Sequence, residues 1–408
     1  MNDGPEHDLD RQAAARRLGM ARALRRRLVP YALALLAIYV LGLAAAIWGG
    51  YWLADEGRLL AGDFISFWTA GLLAGSGRAA EAYDWHILKQ AQLALGAQEF
   101  EGFFAWHNPP SFFLFVVPFA QLSYPLAWIA WIGSTAAFFV LALRLILPGF
   151  LLPAALAAPA TLWCAAAGQN GFLTAALMAG CLALLNRRPV LAGTLLGLLT
   201  VKPQFGLLFP FFLLALRRWR VFAAATATTL LLAAASALLF GAQAWVAFAA
   251  SVTTTQGALA EGGAGWLKLQ SAYALAFRLT GDTSLAVALH AAFALAVGGL
   301  LMRQWLGPTQ PARQAAALVA AAYLVTPYAY VYDAVLLTTA AAFLVRDGLD
   351  RGFAPGEKRA IALALVLPAA HPALVMPTAF FSALVLLALA LPPRDAARRP
   401  FRRRAAAD

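Results

Sequence analysis

Charge is scarce in this sequence. Asp, Glu, Lys and Arg make up 12% of its 408 residues, against roughly a quarter in ordinary soluble domains. Hydrophobic residues make up 62%, more apolar side chain than a water-soluble fold can hide. A bilayer removes that difficulty, because the solvent is itself apolar. Cysteine is scarcer still. The two present, Cys164 and Cys181, both lie inside apolar runs. This excludes a disulfide framework and a cysteine-based metal site and leaves them as small buried hydrophobes. A nucleotide-binding loop, His/Cys metal spacing and a serine nucleophile elbow are all missing. No cofactor or metal is therefore expected. A basic stripe with interleaved aromatics is missing too, so a nucleic-acid partner is not expected.

What charge there is carries direction. The net charge is +12, and the basic residues cluster between apolar runs as positive-inside topology signals do. The clusters are an arm from Arg11 to Arg27, Arg187-Arg188, Arg217-Arg218-Trp219-Arg220, Arg303 to Arg313, Arg346 to Arg359, and a tail from Arg394 to Arg404; together they hold 24 of the 31 Lys and Arg residues. Placed in the cytoplasm, they leave Arg58, Arg78, Lys89, Lys202, Lys268 and Arg278 outside, with Arg144 unassigned. Both termini are then cytoplasmic and the number of crossings is even.

Apolar runs fall near 31–53, 109–122, 125–146, 149–167, 171–186, 189–201, 203–216, 221–241, 283–302, 312–326, 333–346, 359–370 and 374–391. Thirteen runs conflict with an even count, and several are shorter than the ~20 residues a crossing helix needs. The expectation is an all-α polytopic membrane protein with about 12 transmembrane helices plus one re-entrant or short helix, either 109–122 or 149–167. Residues 1–30 form a cytoplasmic Arg-rich arm, 31–391 the transmembrane domain and 392–408 a cytoplasmic basic tail. Residues 54–108 make a first external loop with helices lying on the membrane surface. Residues 243–281 make a second, with a Ser/Thr run (Ser251 to Thr255) and a Gly-rich patch (Gly257 to Gly265). No internal repeat is visible.

Polar residues beside the spans carry the functional signal. Asp63, in Ala61-Gly62-Asp63-Phe64-Ile65-Ser66-Phe67-Trp68, sits where aromatics bury a carboxylate against the membrane surface and suit it to take a proton from a hydroxyl; it also fits a helix cap. His107-Asn108-Pro109-Pro110 opens the second apolar run and puts an imidazole and an amide on the same side. Gly168-Gln169-Asn170-Gly171 offers two amides that fit either sugar hydroxyls or helix–helix contacts. Lys202, in Val201-Lys202-Pro203-Gln204, is a lone ammonium against the charge rule. It suits a phosphate or a snorkelling lysine. In Thr326-Pro327-Tyr328-Ala329-Tyr330-Val331-Tyr332-Asp333, the tyrosines fit a sugar-stacking platform or an interfacial belt. Asp333 needs a partner. His371, between Pro368 and Pro372, completes the set. Asp63, His107, Lys202, Asp333 and His371 would thus converge on a cavity holding an acid, a base and a cation at the outer face.

From about residue 35 to 390 the chain resembles the bacterial membrane glycosyltransferases of family 87, the group of polyprenyl-phosphate-mannose-dependent α-1,2-mannosyltransferases. The resemblance rests on the Asp63-Phe64 loop, Pro109-Pro110, Gly168-Gln169-Asn170, Leu191-Ala192-Gly193 leading to Lys202-Pro203, Arg217-Arg218-Trp219-Arg220 and the Pro327-Tyr328 turn. It implies a GT-C fold and a hexosyltransferase that uses a polyprenyl-phosphate-linked sugar, with membrane lipids around it and a glycolipid, glycan or protein as acceptor, at the periplasmic face of a bacterial inner membrane. Asp63 stands at the position of the catalytic base, Lys202 would bind the donor phosphate, and His107, Asn108, Gln169, Asn170, Tyr328, Tyr332, Asp333 and His371 would bind sugar or acceptor. Many mannosyltransferase members carry histidine after the Pro-aromatic turn; here Tyr332 and Asp333 stand there, which leaves mannose open as the donor sugar. The alternative reading is a transporter or lipid flippase, whose charges usually sit at the bilayer midplane within repeats.

Overall fold

The computed structural model describes residues 5–48, 62–97, 99–260, 268–374 and 376–391. The basic tail 392–408, the end of the first apolar run and residues 261–267 of the Gly-rich patch lie outside the described residues. Among the described residues the architecture is all-α, and the β pairing is an isolated antiparallel bridge between Leu269 and Tyr330.

The arm and the first apolar run are not separate. They form one helix, α1 (Pro5–Trp48), which continues through Pro30. The first loop holds α2 (Asp63–Gly75) and α3 (Trp85–Ala94). The apolar runs that follow give α4 (Phe113–Ala120), α5 (Tyr124–Arg144), α6 (Leu152–Leu156), α7 (Pro159–Ala167), α8 (Gly171–Leu184), α9 (Pro189–Leu198), α10 (Phe209–Ala215) and α11 (Trp219–Phe240). The second loop is itself largely helical, with α12 (Ala242–Ala260) and α13 (Ala272–Thr280). The rest is α14 (Thr283–Trp305), α15 (Pro311–Leu324), α16 (Val335–Arg351), α17 (Glu357–Val366), α18 (His371–Leu374) and α19 (Thr378–Ala390).

Among the described residues, four helices are long and apolar enough to cross a bilayer: Arg22–Ala45 within α1, Tyr124–Arg144, Trp219–Phe240 and Thr283–Trp305. A fifth is added if Gly149–Leu156 and Pro159–Ala167, bent by 64°, count as one broken span. Among the described residues, helix length by itself thus accounts for four or five of the expected crossings. The shortfall has a local cause, since proline repeatedly stops helices after ten to fifteen residues. The residue before a proline is pushed out of the α region. Ala158 before Pro159 takes ψ 132, and Lys202 before Pro203 takes φ −139, ψ 73.

The long helices face an apolar solvent. Leu231 and Leu238 of α11 are 70% and 86% exposed, and Leu295 of α14 is 78% exposed; apolar surface of that extent belongs against lipid. The interior is built instead on α15 and α16. Every residue of α15 from Gln314 to Leu324 is buried, and its alanines let α16 and α19 approach closely. The α9/α11 pair is closer still. A side chain at Gly193 would lie 2.4 Å from the Val221 carbonyl, and one at Gly197 2.5 Å from Thr228 Cβ. The Gly193-x-x-x-Gly197 spacing is the small-residue pattern of membrane helix pairs, a signal legible in the sequence that its apolar periodicity hides.

In the first loop, α2 packs into the body of the protein. α2 buries Phe64, Ile65, Phe67, Ala70 and Leu73. Phe67 meets Trp106, Phe112 and Trp131 edge-on at 5.7, 5.4 and 5.9 Å between ring centres. So large an aromatic payload is better placed in the core than at an interface.

The two ends of the α15/α16 pair carry different polar clusters. At the α15 start, Arg313 binds Asp347 at 2.7 Å, Glu357 at 2.8 Å and the Leu389 carbonyl at 2.5 Å, and Arg351 also holds Asp347. This ties α15, α16, α17 and α19 together. At the other end stands Asp333, ahead of α16. Asp333 and Asp347 are 14 residues apart, which separates the two clusters by about 20 Å at 1.5 Å per residue.

Candidate functional site

Three helix breaks meet at the Asp333 end. The first is at Lys202, held between two 3-10 turns by Pro203. The second is the turn between α7 and α8, where Gly168 takes a left-handed φ of 67° that favours glycine. A side chain at Gly171 would lie 2.5 Å from the Tyr332 carbonyl. Gln169 and Asn170 project from this turn. The third is the tyrosine turn, which leads into the 3-10 helix Val331–Ala334. Tyr323 donates to the Tyr330 carbonyl at 3.0 Å, and the Gln270 backbone N–H to the Ala329 carbonyl at 2.7 Å. Both fix the turn in place.

Asp333 is fully buried, and its partner is Lys202, whose Nζ donates to Oδ1 at 2.5 Å. Lys202 also donates to Asn170 Oδ1 at 2.9 Å, and its ammonium lies 5.4 Å from the ring centres of both Phe205 and Tyr332. Asn170 in turn donates to Asn108 Oδ1 at 3.4 Å. The second Asp333 oxygen accepts from Tyr330 N–H at 3.1 Å. An ammonium has three donors, so one N–H of Lys202 remains beyond its bonds to Asp333 and Asn170.

A cavity of about 250 Å³ opens in front of this chain of side chains. His107, Asn108, Gln169, Asn170, Lys202, Tyr328 and Tyr332 all line it. Asp333 stands directly behind Lys202. The His107 ring faces the cavity, and its Nδ1 lies 3.1 Å from Thr255 Oγ1. Thr255 donates its own proton to the Ser251 carbonyl, so it accepts from Nδ1–H and leaves Nε2 as the acceptor nitrogen. Packing around the ring lowers its pKa, an effect that the residue's own exposure weakens. The ring is therefore neutral near pH 7, a hydrogen-bonding group rather than a strong base.

Three of the expected residues stand apart from the lining: Asp333, buried behind Lys202, and Asp63 and His371. Asp63 is the first residue of α2, and its side chain caps no backbone N–H. It pairs instead with Lys268 at 2.7 Å, with 12% of its own side chain and 46% of the lysine's exposed. Ser66 and Phe67, one turn along the same helix, do line the cavity, so Asp63 shares their face. His371 is buried elsewhere. Its Nδ1 lies 2.8 Å from Gln270 Nε2, while Gln270 accepts from Ala379 N–H at 3.1 Å. This histidine joins the Leu269–Gln270 segment to α18 and α19 rather than entering the cavity, and burial lowers its pKa.

Sequence reading missed one wall. Phe248, Ser251, Val252 and Thr255 of α12 complete the lining. The Ser/Thr run reads as loop composition, yet Ser251 and Thr255 are four apart, which puts both on one helix face. Lys268 was noted only as a charge on the outer side. Among the described residues, no group of three or more His, Cys, Asp or Glu side chains is placed to hold a metal ion.

A model of glycosyltransferase family 87 matches residues 106–327, more than half of the chain. The matched stretch contains His107, Asn108, Gln169, Asn170 and Lys202; Asp63 and Asp333 fall outside it. No curated protein and no solved structure matches the chain. The match, the apolar helices and the cavity lined by amides, tyrosines and a lysine agree: the chain is a membrane protein that belongs to glycosyltransferase family 87.

Proposed function

We propose that this protein transfers a hexose, with mannose the first sugar to test, from a polyprenyl-phosphate donor to a lipid, glycan or protein acceptor. The reaction takes place at the outer face of a bacterial inner membrane. The observation that carries this reading is the Asp333–Lys202–Asn170–Asn108 chain on the wall of a 250 Å³ cavity. Asp333 offsets most of the charge of Lys202 and fixes its direction. The remaining N–H would donate to a phosphate oxygen, where negative charge grows as the sugar leaves. Asn108, Gln169, Asn170 and His107 offer hydrogen bonds to sugar hydroxyls, and Tyr328 and Tyr332 offer ring faces. The GT-C architecture, with the shorter apolar helices completing the membrane bundle, belongs to the same proposal.

In the chemical step an acceptor hydroxyl loses its proton to the Asp63 carboxylate and attacks the anomeric carbon. The bond from that carbon to the phosphate oxygen breaks, and the polyprenyl phosphate leaves with both electrons. A single in-line displacement inverts the sugar carbon. Asp63 must exchange its contact with Lys268 for the acceptor hydroxyl, so the acceptor approaches along the face of α2 that carries Ser66. Family membership speaks against the transporter or flippase alternative.

The test is a reconstituted assay with labelled polyprenyl-phosphate mannose and a panel of acceptors. Wild-type protein should transfer sugar, and Asp63→Asn should lose at least about a hundredfold, the scale of a missing general base. Lys202→Ala should chiefly weaken donor use. Equal transfer by Asp63→Asn and wild type would remove Asp63 from the mechanism.

A further inference from the structure

The larger cavity of the protein lies away from Lys202. An apolar groove of about 440 Å³ runs between α1, α6, α16 and α17, within the roughly 300–1,000 Å³ of ligand pockets. Along α16 it extends from Thr338, just past Asp333, to Val345, toward the end where Arg313 and Asp347 meet. Leu28 and Leu35 of α1 form one wall, Ala341 and Ala342 of α16 the floor, and Ala362 and Leu365 of α17 the other wall. Small residues on the floor and leucines on the sides leave a channel shaped for a flexible chain.

One lining residue is charged. Lys358, exposed on α17, sits at the groove with its ammonium 5.4 Å from the centre of the Phe353 ring. Glu357, its neighbour in sequence, binds Arg313, as does Asp347, which also binds Arg351. Arg25 and Arg27, both exposed, flank the face of α1 that carries the groove residues Leu24 and Leu28. The groove therefore joins an apolar channel to a basic rim without a carboxylate on it. That complementarity selects an anionic amphiphile.

We infer that this groove holds a hydrocarbon chain of an anionic phospholipid, with its phosphate beside Lys358 and the arginines of α1. The site is separate from the cavity at Lys202 and does not depend on the transfer reaction. The lipid completes the packing between α1 and the body of the protein.

Native mass spectrometry of the purified protein, titrated with phosphatidylglycerol or phosphatidylcholine in detergent, tests this. Wild-type protein should retain phosphatidylglycerol about fivefold better than phosphatidylcholine, the factor worth one basic residue near an anionic lipid. Lys358→Glu should erase that preference without unfolding the protein, because the side chain is exposed. Ala362→Trp should lower retention of both lipids by filling the channel, while Ala234→Phe, on the exposed face of α11, should change neither. Equal retention of the two lipids by wild type would overturn the inference. So would an unchanged preference in Lys358→Glu, which decides the matter even if Ala362→Trp proves unstable.

Discussion

At the scale of single residues, the Lys202–Asp333 pair decides the most. Asp333 is fully buried and the Lys202 side chain is 9% exposed, so neither charge is accommodated without the other. Removing one partner from a buried ion pair costs about 3–5 kcal/mol, whereas replacing both with apolar groups is often far milder. Asp333→Leu and Lys202→Met should each lower the thermal midpoint in detergent sharply. The double replacement should recover much of that loss, yet remain inactive because the ammonium is gone. A double variant whose loss equals the sum of the two single losses would show that the two side chains act independently. The partnership was half legible beforehand. The sequence marks Lys202 as a cation against the charge rule and Asp333 as an acid needing a partner, but it does not join them. They lie 131 residues apart, and only the register of packed helices sets that distance.

At the scale of elements, glycine positions separate close packing from open space. Gly193 lies under the Val221 carbonyl, whereas Gly133 of α5 has nothing within 4 Å of an added side chain. Gly193→Ala should therefore destabilise by about 1–3 kcal/mol through overpacking. Gly133→Ala should be neutral or stabilising by roughly 0.5–1 kcal/mol, since alanine is the better helix former. Thermal unfolding of both variants in one detergent checks the pair; a Gly193→Ala protein as stable as wild type would mean that α9 and α11 can separate at little cost. Helix positions were well anticipated, because each of the thirteen apolar runs holds helix among the described residues. Helix length by itself accounts for four or five of the expected crossings. Hydropathy sees apolar residues on both sides of a proline but not the bend that the proline imposes.

At the scale of the whole molecule, the polar clusters at the two ends of α15 and α16 give the protein two faces. On the proposed topology, the positive-inside rule would put the cavity outside and the arginine clusters inside. A cysteine replacing Gln204, which lines the cavity, should react with an impermeant maleimide from the outside of intact cells. One replacing Arg220, exposed at the start of α11, should react only after the membrane is opened. The native Cys164 and Cys181 are buried and should stay silent. Labelling of both positions from the same side would contradict the sidedness and move the proposed chemistry to another compartment.

The sequence by itself determined the solvent, the secondary structure and the places where helices break. Apolar content, helix propensity and the restriction imposed by proline act over a few residues, and they can be read where they occur. Only the tertiary structure decided which polar groups meet. It set Asp333 behind Lys202, turned α12 so that Ser251 and Thr255 face His107, gave Asp63 to Lys268 across 205 residues, and took His371 out of the cavity to hold Gln270. Those pairings depend on helix register and close approach in three dimensions, which no local pattern encodes.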